Sequence, residues 1–303
     1  MPEYPDITVY IEHLERLLSG STLEAVRIAS PFVLRTVAPP LERFTGKRVC
    51  GFERIGKRIV CVCEDELFLV MHLMVAGRLH WRRRAAAIPR SGGLAACDFD
   101  RGTLLISENA KRKRASLHAV EGREALRAFD PGGIDVFDSS DEQLRAALQA
   151  ENHTLKRALT DPRILSGIGN AYSDEILHRA KLSPVALTTK LDSHELERLC
   201  QAARAVLAEW TERLRREAGE RFPQKVTAFH ECMAVHGKYG LPCTACGTPV
   251  QRIRYAENET NYCPNCQTGG KLLADRALSR LLRGDWPRTF AELEERRRGN
   301  TRP

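Results

Sequence analysis

Long hydrophobic runs are missing from this sequence. None of its 303 residues lies in an apolar stretch approaching the 18 or more of a membrane-spanning helix. The N-terminus lacks the pattern of a secretory signal, and no internal repeat is present. An excess of acidic residues is lacking too: 39 Asp+Glu face 47 Lys+Arg, leaving a net charge of +8. Such a balance favours phosphate polymers or anionic surfaces as partners. A soluble protein of a reducing cytoplasm, free of disulfides, is expected.

Ten cysteines are nevertheless present. Cys243, Cys246, Cys263 and Cys266 form two CxxC pairs separated by 16 residues. In a zinc ribbon two knuckles each give two thiolates to one tetrahedral metal, and this spacing fits. Gly240, Pro242 and Gly247 can shape the first knuckle, and Pro264 with Asn265 lies in the second. Redox-active dithiols are the alternative, but no βαβ pattern surrounds the pairs. Four thiolates leave no open coordination position, so the single zinc ion is expected to hold shape and do no chemistry. The other cysteines, Cys50, Cys61, Cys63, Cys97, Cys200 and Cys232, include several in apolar strand-like stretches, where a thiol packs as a small hydrophobe.

The first 130 residues read mostly as strands: 22–29, 48–54, 58–64, 66–73, 78–81, 94–99 and 103–107. Ile59–Cys63 and Leu67–Met71 are apolar at every position, as in strands buried on both faces of a sandwich. Asp130-Pro131-Gly132-Gly133 opens a linker over 131–140. From 141 to 235 the period is helical, with Leu196, Leu199, Ala203, Val206, Leu207 and Trp210 on one stripe. The ribbon occupies 236–267. The segment 268–303 reads as one or two more helices around Asp285-Trp286-Pro287.

The chain begins Met1-Pro2-Glu3-Tyr4-Pro5-Asp6. Removal of Met1, which a small second residue permits, would make Pro2 a free secondary amine. An α-amine has a pKa near 8 against about 10.4 for lysine, so at pH 7 its unprotonated fraction is roughly a few hundred times larger. The iminium of a secondary amine keeps its positive charge and remains an electron sink for later elimination. Alone, an N-terminal proline is an ordinary occurrence.

Pro2-Glu3-x-Pro5-Asp6, followed by an amphipathic helix through Ile7, Tyr10, Leu14 and Leu18, resembles the N-terminus of the formamidopyrimidine-DNA glycosylase/endonuclease VIII family. Arg54-Ile55-Gly56-Lys57 is similar to that family's Arg-x-Gly-Lys strand. Ser166–Leu177 is similar to its helix–two-turn–helix signature, and Val235–Cys243 with Tyr262–Gln267 to its zinc finger. The resemblance implies an α+β protein of two domains: an N-terminal antiparallel β-sandwich with flanking helices (1–130), then a helix–two-turn–helix domain (141–235) with its zinc ribbon. It implies a bifunctional glycosylase and abasic-site lyase of base-excision repair, acting as a monomer on damaged duplex or single-stranded DNA in a cleft, with no membrane partner. Pro2 is then the nucleophile and Glu3 a proton shuttle. Lys57 contacts phosphate or donates a proton, and Lys156, Gly169 and Asn170 bind phosphate, Asn170 also as an N-cap. Asp6 stands where the family usually has glutamate, and helix capping and catalysis are both open for it. His72 and Met71 read as core or near-core strand residues.

The chain departs from the family at the residues that fill the gap left by an extruded base. Val75 takes the place of the wedge methionine, with Met74 one residue off and on the opposite strand face if no bulge intervenes. The usual Arg-Phe-Gly loop is replaced by Asn109–Arg114, whose Lys111 and Arg112 are expected to face DNA. Asn258 stands where the zinc finger usually has arginine. A catalytically silent nucleic-acid-binding protein of the same fold is the alternative, although simple binding would not require the Pro2-Glu3…Lys57 set.

Overall fold

A computed structural model describes residues 1–224, 226–227, 229–255, 258–274 and 287–299. The chain packs as two units, Met1–Gly133 with Ala208–Ala228, and Ile134–Leu207 with Phe229–Pro303.

The first unit begins with helix α1, Tyr4–Leu18, whose Ile7, Tyr10, Leu14 and Leu18 are fully buried at helical spacing. Eight strands follow: β1 (Thr22–Ile28), β2 (Lys47–Ile55), β3 (Arg58–Cys63), β4 (Leu67–His72), β5 (Gly77–Arg82), β6 (Gly93–Phe99), β7 (Gly102–Glu108) and β8 (Ser116–Glu121). All pair antiparallel in the order β5-β7-β6-β1-β2-β3-β4-β8. The β1–β2 pairing joins only Thr22 to Arg48 and Leu23 to Lys47, so two four-stranded halves are linked at a narrow seam. One core takes Leu79, Cys97 and Ile106 from one half and Ile59, Cys61, Leu69 and Leu117 from the other, together with α1. The opposite face of the second half, Val60, Phe68, Val70 and Val120, packs on Leu126 of the short helix α2 (Arg123–Arg127). That is why β3 and β4 are apolar at nearly every position.

The second unit holds α3 (Asp141–Gln149), α4 (Leu155–Thr160) and α5 (Asn170–Ala180). Helix α6 (Ser193–Ala218) follows, and all six stripe residues named from the sequence are buried in it. Its chain passes between units at Leu207/Ala208. Beyond it, Phe222 and Val226 join the first unit's core, Phe222 with its ring 5.6 Å from that of Tyr10. Helical periodicity continues unbroken through this point, so it carries no sign that 208–228 belongs with the first unit. The ribbon hairpin is β9 (Gln251–Tyr255) with β10 (Asn258–Tyr262), followed by α7 (Pro264–Thr268). In the expected 268–303 extension a helix spans Phe290–Gly299, while the Asp285-Trp286 boundary falls outside the described residues. No described helix is long and apolar enough to cross a membrane.

Candidate active site and zinc ribbon

Glu3 is the N-cap of α1, and Asp6 is its third residue. Asp6 Oδ2 accepts the Glu3 backbone N–H at 2.9 Å, and the Glu3 side chain closes the reciprocal half of a capping box. Asp6 therefore caps from inside the helix rather than from the position before it. Pro2, Glu3 and Asp6 are all buried. The Arg54 guanidinium lies 4.3 Å over the Tyr4 ring and ties this end of α1 to the end of β2.

Lys57 sits in the β2–β3 turn that Gly56, with φ +59°, makes possible. Burial holds the Lys57 pKa below the ordinary lysine value, and the charge of Glu3 opposes that shift. Burial also lowers the pKa of the Met1 amine. Glu3 and Asp6 raise it, while Arg78 and Lys57 lower it further. The fold thus brings the N-terminus, Glu3, Asp6 and Lys57 into one electrostatic neighbourhood. Arg78 belongs to it too, and sequence reasoning missed it because it reads as an ordinary strand arginine. Met71 is in the core, whereas His72 is half-buried and pushed down to about 4 by burial, with Arg58 and Lys57 adding to the shift.

A cavity of about 210 Å³ opens beside Asp6, walled by Val9, Leu214, Ala218, Pro223 and Val226, with Glu217 at its edge. Asp6 Oδ1 is buried without a hydrogen-bond partner. Burial raises this carboxyl from 3.8 to about 7. Because the folded value is raised, the native state keeps a proton that the unfolded chain releases near pH 4. Stability should therefore fall as pH rises from about 4 to about 7, by ~1.4 kcal/mol per pH unit across that window. Asp6→Asn retains a capping oxygen and cannot ionise. In urea melts it should match the parent near pH 4 and exceed it by on the order of a few kcal/mol at pH 8. Identical pH slopes would contradict an ionisable orphan at this position.

The wedge region is not strand. After His72 the chain turns, with Met74 at φ +51° and the Gly77 N–H donating to Leu73 O at 2.8 Å. A side chain at Gly77 would meet that carbonyl oxygen at 2.2 Å, so the turn needs glycine. Alternation of strand faces therefore does not decide between Met74 and Val75, and Val75 is 55% exposed. Gly77 pairs with Glu108, which sets this turn beside the 109–115 loop. The buried Glu108 carboxylate accepts the N–H groups of Arg114 (2.7 Å) and Ala115 (2.9 Å) and closes the loop base, leaving Lys111, Arg112 and Lys113 exposed.

In the second unit, Gly169 is the N-cap of α5 and Asn170 its first residue, which corrects the N-cap expected at Asn170. Asn170 Nδ2 instead donates to Glu259 O at 2.8 Å. Lys156 Nζ donates to Asn170 O (2.7 Å) and pairs with Asp174 Oδ1 (2.5 Å). Asp174 Oδ2 in turn meets His236 Nδ1 at 2.8 Å and the Asn261 N–H at 3.1 Å. Glu175 accepts the backbone N–H groups of Ala234, Val235 and His236 at 2.8–2.9 Å. Two adjacent carboxylates on α5 thus fasten the segment that leads into the ribbon.

The four ribbon sulfurs lie within 4.8 Å of one another, with Cys243–Cys266 at 3.9 Å and Cys246–Cys263 at 3.4 Å. Tetrahedral zinc with bonds of about 2.3 Å needs sulfurs roughly 3.8 Å apart, so the set fits one structural ion. The first knuckle closes by Gly247 N–H to Cys243 O (2.9 Å). The second closes by Cys263 N–H to Gln267 Oε1 (2.8 Å). All ten cysteines are free of disulfides; Cys61, Cys63, Cys97 and Cys200 are buried, and Cys50 and Cys232 are exposed.

Three family models match in register with these parts. The formamidopyrimidine-DNA glycosylase N-terminal domain covers residues 1–127, its H2TH domain 135–217, and the zinc finger found in FPG and IleRS 240–269. The formamidopyrimidine-DNA glycosylase of Heliobacterium modesticaldum is 31% identical over 281 residues, 88% of this chain and 100% of that protein. This chain belongs to the formamidopyrimidine-DNA glycosylase family. A formamidopyrimidine-DNA glycosylase-like protein of Mycobacterium tuberculosis, itself uncharacterized, is 42% identical over 164 residues, 54% of this chain and 100% of that protein. The fold is that of the family as well. The Lactococcus lactis formamidopyrimidine-DNA glycosylase, solved with DNA containing an oxidized pyrimidine, superposes with a TM-score of 0.78 at 23% identity, over 88% of this chain and 100% of that one. The same enzyme bound to abasic-site DNA gives 0.75 at 22% identity, over 88% and 99%.

Proposed function

We propose that this family member is a bifunctional DNA glycosylase and abasic-site lyase of base-excision repair. The observation that carries the reading is the burial of Pro2 and Glu3 in the charge field shared with Lys57 and Arg78. Once Met1 is removed, the Pro2 nitrogen takes the place of an amine whose surroundings favour the neutral, nucleophilic form. It attacks C1′ of the damaged nucleotide; the N–C1′ bond forms as the glycosidic bond breaks, and the base leaves with the proton that the amine gives up. Glu3 delivers a proton to O4′ as the sugar ring opens to an iminium. The iminium acidifies the C2′ hydrogen, and loss of that proton expels the 3′ phosphate and cuts the strand.

Lys57, Lys156, Asn170 and the amides at Gly169 are the proposed phosphate contacts, and Lys111 and Arg112 add positive charge along the strand. Lys156 brings to that task a charge already positioned by Asp174. The zinc, when bound, supplies only the shape of the ribbon. The relatives' damaged-DNA partners fit this reading, as does the +8 charge.

With Val75 at the exposed turn and no aromatic in the basic loop, little offsets the few kcal/mol of extruding a base from a duplex. Single-turnover rates for one oxidised base in duplex and in single-stranded DNA, at one salt concentration, test both points. Excision with strand cleavage is expected, faster from the single strand. No cleavage of either would overturn the assignment, and a strong duplex preference would place the wedge at Met74 or in the basic loop.

A further inference from the structure

Helix α5 sends a third polar side chain into the ribbon. His178 lies one turn after Asp174 on the same face, is 9% exposed, and has its Nε2 3.2 Å from Cys243 Sγ. We propose that His178 is an outer hydrogen-bond donor of the zinc site, a positioning residue that holds the Cys243 thiolate and lowers its reactivity.

The chemistry of the pair leaves one direction for the bond. A zinc-bound thiolate has no proton and only accepts, so the donor is the imidazole N–H at Nε2. Direct ligation by His178 is excluded by number, because four sulfurs already complete the tetrahedron. Donation of an N–H to a metal thiolate draws electron density from the sulfur. The sulfur then becomes a poorer nucleophile while its direction toward the metal stays fixed.

The four sulfurs do not share equal surroundings. Cys243 and Cys263 are buried, whereas Cys246 is exposed and Cys266 is intermediate. Cys263 Sγ receives a donor from inside the ribbon, the Cys266 N–H at 3.4 Å. Cys243 receives a side chain from a helix 65 residues earlier in the chain. Neighbouring bonds of α5 hold the same face of the ribbon: Asp174 to His236 and Asn261, and Glu175 to the backbone of 234–236. His178 extends that fastening to the metal site itself, which a residue serving only to fill space would not do.

The test uses the full-length, zinc-loaded protein with His178→Phe, which keeps an aromatic ring without the N–H, and His178→Gln, which keeps a donor. Each is mixed with excess iodoacetamide and a coloured zinc chelator, and zinc release is followed. His178→Phe should release zinc roughly tenfold faster than the parent, in line with the usual effect of removing an outer hydrogen-bond partner, and His178→Gln should stay close to the parent. In the cobalt-substituted proteins the thiolate-to-metal charge-transfer band should move to longer wavelength in His178→Phe and not in His178→Gln. A general loosening of the fold would not move that band selectively. If the phenylalanine variant fails to fold, His178→Leu against His178→Gln reads the same contrast. Equal release rates with unmoved bands, or a glutamine variant as fast as the phenylalanine one, would overturn the proposal.

Discussion

A preparation that retains Met1 is expected to lose strand cleavage by roughly two orders of magnitude or more relative to the processed chain. In the retained form the Pro2 nitrogen is a peptide nitrogen without a basic lone pair. The free α-amine is then that of Met1, a primary amine one residue out of position, where a misplacement of about 1 Å already costs on the order of 10²-fold. The other amine nearby is Lys57. An unperturbed lysine offers roughly a few hundred times less free amine at pH 7 than an α-amine. Burial of Lys57 recovers part of that deficit, and Glu3 opposes the recovery. Binding of abasic-site duplex should change far less, since the proposed phosphate contacts do not involve residue 2. Intact mass identifies the two forms, and single-turnover cleavage of an abasic duplex compares them. Equal rates would mean that the amine of residue 2 is not the nucleophile.

Cys263→Ser is expected to abolish stoichiometric zinc binding and to weaken duplex binding at least tenfold. Structural zinc contributes on the order of 10–16 kcal/mol in small zinc peptides, far more than a hairpin of two five-residue strands can replace. The residue is also fully buried, with its N–H bound to Gln267 and its sulfur accepting from Cys266. Loss of the knuckle would release Asn261, one of the partners that fix Asp174, and with it the setting of Lys156 and Asn170. The Met1–Gly133 strands share none of these bonds and should keep their near-ultraviolet signature. Metal analysis and a binding titration at fixed salt check this. Metal-free protein that binds duplex in full would contradict it.

Much of this fold is legible in the sequence because its signals are local. Doubly buried strands such as Ile59–Cys63 have no polar face, α1 and α6 show unbroken stripes, and CxxC spacing is set by knuckle geometry. Strand β8 was not legible. Its Leu117 and Ala119 alternate with Ser116 and His118 directly after a Lys/Arg run, which masks a short edge strand. Nor does periodicity show where α6 passes between units, since a helix stripe records that a face is buried and not which core buries it. At the candidate site the residue types stood out, but their partnerships did not. Asp174 binds groups 18, 62 and 87 positions away, and the orphan oxygen of Asp6 depends on cavity walls more than 200 residues later in the chain. The wedge turn was hidden for a related reason: one close backbone contact at Gly77 ends the strand and cancels the alternation that would separate Met74 from Val75.

The most direct measurement is borohydride trapping on abasic-site DNA, followed by digestion and mass mapping of the adduct. Covalent catalysis by the N-terminal proline requires one reduced crosslink, on Pro2, in the Met1-processed protein. It also requires a crosslink yield that falls when Glu3 is replaced by glutamine, because ring opening then lacks its proton donor. An adduct mapped to Lys57, or no adduct from processed, zinc-loaded protein that binds the same DNA, would contradict it and leave a DNA-binding protein of this fold without the chemistry.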